Sequence, residues 1–173
     1  MKLVSTTAAV LLLVLAAPSP AHAQLTNSLN GLHDITVTHL TATADKVPAD
    51  LYDFRPTDEV RTLGQILAHV ANSQYAFCSA ASGQDNPMSE DLEETATTKA
   101  QITAALADAF AYCDTVYASM SDEQAAMTVS FFGGDMAAGG VLAFNSMHNY
   151  EHYGNLVTYM RINGIVPPSS AGN

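Results

Sequence analysis

Phe144-Asn145-Ser146-Met147-His148-Asn149-Tyr150-Glu151-His152-Tyr153-Gly154-Asn155-Leu156 lies within a stretch, residues 141–163, that reads as one long helix. Val141, Phe144, Asn155, Leu156 and Tyr159 recur at helical spacing and define its inward stripe. His148 and His152 fall in the middle of that stripe, one turn apart on one face. Gly164 suits the residue just past the helix end, Pro167-Pro168 prevents continuation, and Arg161 complements the terminal dipole.

Three further helical segments precede this one. Residues 25–46 carry Leu29, Leu32, Thr36 and Leu40 at helical spacing, and Pro48 stops them. A short segment, 49–58, follows. The second helix opens on Thr62-Leu63-Gly64-Gln65, a capping box, with a stripe of Leu63, Ile66, Leu67, Val70 and Phe77. The third opens on a second box, Thr98 to Gln101, with a stripe of Ile102, Leu106, Ala109, Phe110, Cys113 and Tyr117. Between them the acidic cluster Glu90, Asp91, Glu93 and Glu94 reads as a solvated loop. Residues 128–140 read as irregular, with at most a short extended piece around Phe131-Phe132-Gly133-Gly134. No strand pair is expected. The fold expected is therefore all-α, a four-helix bundle.

The connection between the second and third helices is long enough to run back along a helix. Cys78 lies 16 residues beyond Thr62, and Cys113 lies 15 beyond Thr98. Parallel helices would put both at one height; antiparallel ones would separate them by roughly 20 Å. A disulfide tolerates about 7 Å between Cα atoms. A Cys78–Cys113 bridge and an up-down-down-up course thus support each other. The other reading of the two cysteines is a pair of small core residues.

The first 23 residues stand apart. Lys2, the apolar run containing Leu11-Leu12-Leu13, and Ala21-His22-Ala23 make a secretory leader cut after Ala23. That leaves one domain, 24–173, exported to the periplasm or beyond, where disulfides form. The net charge is −11. So acidic a surface repels nucleic acid and anionic membrane.

His69 sits mid-helix on the shoulder of the second stripe, and His148 and His152 sit mid-helix on the fourth. Mid-helix residues of a bundle meet at one level, so three imidazoles converge. Bundle cores are a common place for metal sites. Three neutral imidazoles with an open position suit zinc first, with nickel or iron also accepted. The bland reading is that the paired histidines are core residues satisfied by Asn155 or Tyr159. His148 to His152 also fits H-x-x-E-H, in which the Glu is a general base. Glu151, however, lies about 60° from His148 on the helical wheel. It is read as a flanking residue, with Asn155 and Tyr159 lining a pocket. His33 and His39 are six apart on the first helix, face different sides, and read as surface or flank positions.

At Asp53-Phe54-Arg55-Pro56-Thr57-Asp58-Glu59-Val60-Arg61-Thr62-Leu63-Gly64-Gln65-Ile66-Leu67-Ala68-His69, and again from His148 through Arg161 to Pro168, the chain resembles the DinB-like, or YfiT-like, four-helix proteins. The resemblance implies an up-down-down-up bundle, frequent homodimers, and a divalent metal held at His69, His148 and His152. It also implies, for some members, transfer chemistry with low-molecular-weight thiols. An exported chain would work apart from those cytosolic thiols. The functional expectation is a metal-dependent enzyme of hydrolase or transferase class acting on a small molecule; the alternative is a metal or small-ligand carrier without turnover.

Overall fold

A computed structural model describes residues 22–172. Most of the expected leader therefore lies outside the described residues. The elements are α1 (His22–Lys46), α2 (Leu63–Ser82), α3 (Leu92–Thr95), α4 (Lys99–Ser119), α5 (Asp122–Ala125), β1 (Thr128–Phe131), β2 (Gly134–Ala137) and α6 (Ala138–Ile162), with 3-10 turns at Ala49–Leu51 and Pro168–Ser170. Four long helices carry the fold, and among the described residues none is long and apolar enough to cross a membrane.

The capping boxes set two helix starts. Gln65 N donates to Thr62 Oγ1 at 3.2 Å while Thr62 N donates to Gln65 Oε1 at 2.9 Å. Thr98 and Gln101 repeat the exchange at 3.3 and 3.1 Å. Each box satisfies two N–H groups that the first helical turn leaves unpaired. At Gly64 the chain passes so close to Tyr52 and Ile102 that an added Cβ would lie 3.0 Å from the Ile102 side chain and 3.1 Å from the Tyr52 carbonyl.

α2 packs against α4 and α6, and α1 packs against the same two helices. The apolar residues form two clusters. One is built around Leu40, Leu67, Leu106, Leu156 and Met160. The other is built around Phe77, Cys78, Cys113, Val141 and Leu142, with Cys78 and Cys113 joined in a disulfide, Cα atoms 5.5 Å apart.

A polar layer occupies the level where the clusters meet, and the sequence reading did not anticipate it. The Gln74 side-chain amide donates to Asn145 Oδ1 at 2.9 Å and to Asn149 Oδ1 at 2.8 Å. Asn145 returns a bond to Gln74 Oε1 at 3.0 Å, and Asn149 donates to Thr36 Oγ1 at 3.2 Å. All four residues are fully or almost fully buried. Their mutual satisfaction is what makes such burial tolerable.

Four expectations need correction. Residues 128–137 form an antiparallel hairpin, Thr128 opposite Ala137 and Phe131 opposite Gly134. Each strand is only four residues, too short for alternation to stand out. The acidic segment is not wholly solvated: it contains α3, whose Leu92 is buried. Leu32 of the first stripe is exposed, whereas Leu29, Thr36 and Leu40 are buried. His33 is fully buried, not a surface residue: it stacks on Tyr117 at 4.0 Å, and its Nε2 meets Asp114 Oδ1 at 2.9 Å. His39 is half-buried and stacks on Tyr153.

Candidate metal centre

α2 contributes His69, half-buried; α6 contributes His148, half-buried, and His152, buried. One nitrogen from each of the three lies within 4.8 Å of the other two. His69 Nε2 is 3.2 Å from His148 Nε2, and His152 Nε2 is 3.0 Å from the same atom. In a tetrahedral site with zinc–nitrogen bonds of about 2.0–2.1 Å, ligand nitrogens stand about 3.3 Å apart. The cluster thus has the dimensions to hold a small divalent ion.

The proton inventory points the same way. Glu93 Oε1 lies 2.7 Å from His69 Nδ1. An ionised carboxylate only accepts, so Nδ1 carries the ring proton and His69 Nε2 presents a lone pair to the cluster. His148 Nε2 must then serve two neighbours with one position. If it carries a proton it cannot accept from His152; if bare, it faces the His69 lone pair. Protons alone leave one of these contacts unsatisfied, while a cation satisfies all three lone pairs. The Nδ1 atoms of His148 and His152 are buried and have no hydrogen-bond partner among the described residues. Burial, then the neighbouring His152 and His69, pushes His148 down to about 3; burial, then His69, pushes His152 down to about 4. Both rings are therefore neutral near pH 7, as metal ligation requires.

Glu93 is the site residue that the sequence did not disclose. It comes from the crossover, which is pinned to α2 by Asn72. The Asn72 amide donates to Asp91 Oδ1 at 2.7 Å, and its oxygen accepts from Leu92 N at 3.0 Å. Asn72 lies one turn beyond His69, so the clamp delivers Glu93 to the imidazole. Arg61 Nε then meets Glu93 Oε2 at 2.6 Å, completing an Arg61–Glu93–His69 chain. An acidic run in a loop carries no periodicity; the one local signal that could have marked order there is Asp91, whose side chain caps α3 by accepting from Glu93 N at 2.9 Å.

The remaining expected residues flank the cluster. A cleft of about 620 Å³ opens beside His152, lined in part by Arg61, Glu151, Asn155 and Tyr159. Glu151 is exposed, and so is Asn155, which the spacing had placed on the inward stripe: it sits at the edge of that face, where the cleft admits solvent. Tyr159 is buried, and its hydroxyl donates to the Arg61 carbonyl at 3.0 Å. The partners of the three imidazoles among the described residues are Glu93 and one another, rather than Asn155 or Tyr159. A different set of side chains backs the cluster on the His148 side: Phe77 meets that imidazole edge-on at 5.2 Å, and Phe144 stacks on it at 6.3 Å.

A sequence profile of the DinB superfamily matches residues 21–156. Among solved structures, a DinB-like protein from Bacillus cereus ATCC 10987 is similar over 82% of this chain and 95% of its own, at 14% identity and a TM-score of 0.71. A DinB-like protein from Bacillus subtilis matches over 82% and 92%, at 17% identity and a TM-score of 0.61. A mycothiol-dependent maleylpyruvate isomerase matches over 76% of this chain and 60% of its own, at 18% identity and a TM-score of 0.63. At these identities the structural likeness speaks to fold. No curated protein matches significantly.

Proposed function

Because this chain belongs to the DinB superfamily, we propose that it is an exported metalloenzyme. Its divalent ion, zinc first with nickel or iron as alternatives, would be held by His69, His148 and His152. The observation that carries this reading is the meeting of three imidazole nitrogens within 4.8 Å, two of them on rings kept neutral by burial.

When bound, a divalent ion supplies a Lewis acid that acidifies water or a thiol, which suits hydrolysis or group transfer. The protein's own part is positional. Glu93 fixes the tautomer and orientation of His69. Arg61 holds Glu93 in turn. Phe77 and Phe144 pack against His148 and hold its ring in place. The cleft of about 620 Å³ beside His152 gives a small molecule access, which favours turnover over a closed carrier site.

The up-down-down-up course belongs to the same proposal, and paired contacts support it. Along α1 and α6 the contacts climb together: Thr36 with Asn149, then His39 with Tyr153. Along α2 and α4 Gly64 lies near Ile102, then Cys78 joins Cys113. Between α2 and α6 they run oppositely, His69 with His148 but Gln74 with Asn145. Export rests on the leader and fits the disulfide. A homodimer rests on the family resemblance.

Reconstitution of the metal-free protein with cobalt tests the metal site. Visible d–d absorption at one equivalent, abolished by His148→Ala, supports the three-histidine centre; a spectrum indistinguishable from free cobalt refutes it.

A further inference from the structure

The hairpin tip carries an anomaly. Phe132 has φ 50 and Gly133 φ 77. Positive φ at both central residues marks a two-residue type I′ turn, where Asn-Gly is the favoured pair. A bulky residue at the first position is strained there. The ring is also 78% exposed, so core burial does not explain it. β2 is exposed along its whole length.

The ring does have neighbours, and they lead to the histidines. Phe132 lies 4.3 Å from Phe131, 5.9 Å from Phe77 and 5.7 Å from Phe144, between ring centroids. Phe77 and Phe144 are the two rings that touch His148. The hairpin therefore stacks a second aromatic layer on the first, and its outermost face is open to solvent. On the other side of the cluster, next to His152, the cleft is mixed, with the charged groups of Arg61 and Glu151 beside Val60 and Ile66 in its lining.

We propose that Phe132 and Phe144 form an apolar lip of the histidine cluster, and that the site takes a small molecule whose metal-binding group carries an aryl or similarly flat apolar substituent. The apolar part lies against the lip while the polar remainder occupies the cleft beside His152. The inference rests on the metal reading above and adds the substrate class. At this φ the Phe132 ring rests beside Phe131 and Phe144 while most of its surface stays in solvent, free to meet a ligand.

Two hydroxamates test it on the zinc-loaded protein by titration calorimetry. Acetohydroxamate and benzohydroxamate chelate alike and differ in the phenyl ring. A phenyl ring packed against aromatic side chains is worth about tenfold in affinity. Wild type should therefore prefer benzohydroxamate by about tenfold more than Phe132→Asn does. Zinc content and acetohydroxamate affinity should be equal in the two proteins. Asn suits the turn, so the variant should fold at least as well; Phe132→Tyr, which keeps a ring, should keep the preference. An unchanged ratio in Phe132→Asn overturns the lip. So does an unchanged ratio accompanied by a shift from dimer to monomer, which would make Phe132 a subunit contact. Failure of wild type to hold zinc overturns the metal reading, and this inference with it.

Discussion

Glu93 and His69 are joined at 2.7 Å, carboxylate to Nδ1, across a crossover of no regular pattern. The contact makes α3 part of the site rather than a decoration on the loop. Carboxylates in this position typically change metal affinity by 10–100-fold. Glu93→Ala should therefore weaken zinc binding by about that factor in competition with a chromogenic chelator. The melting temperature of the metal-free variant should stay close to wild type, because the lost contact is partly exposed. Unaltered affinity would remove Glu93 from the site.

Gln74 ties α2 to Asn145 and Asn149 of α6 with every partner buried. Gln74→Leu fills the space but strands both asparagine oxygens, and each buried unpaired group costs about 1–3 kcal/mol. Urea denaturation should show a loss of about 2–4 kcal/mol. A neutral result would mean that the two asparagines find other partners.

The Cys78–Cys113 bridge spans 35 residues. Loop-closure entropy for a span of that length is about 3–4 kcal/mol. Cys78→Ala/Cys113→Ala, or reduction, should lower stability by that order. Alkylation of the unreduced protein should modify neither cysteine.

Much of this was legible in the sequence. The capping boxes at Thr62 and Thr98, the stripes of α2 and α4, and the histidine pair of α6 all follow local rules of spacing. The unforeseen features depend on tertiary meetings that spacing does not encode. Glu93 is placed by a clamp from Asn72. Asn145 and Asn149 interrupt an apolar face and make sense only opposite Gln74. His33 looked like a flank residue because its partners, Asp114 and Tyr117, are some 80 positions away in the chain. The hairpin was obscured by its brevity and by Phe132, an unfavourable residue for its turn.

Acid should destabilise the metal-free protein. Burial lowers the His33 pKa, outweighing the hydrogen bond its ring donates to Asp114, and His148 and His152 are lowered to about 3 and 4. The folded chain thus holds these rings neutral at pH values where the unfolded chain, near 6.5, takes up protons. Their contribution is complete above pH 6.5 and is lost as the pH falls from there toward 4 and 3. Calorimetry of chelator-treated protein should show a melting temperature that declines across this window. One that rises on acidification would contradict these environments.

The most direct test of the metal centre is elemental analysis of the purified protein, wild type beside His69→Ala and His148→Ala. The three-histidine account predicts about one divalent ion per chain in wild type and a large loss in each variant. Absence of metal from the wild type, or full occupancy without His69, would contradict it.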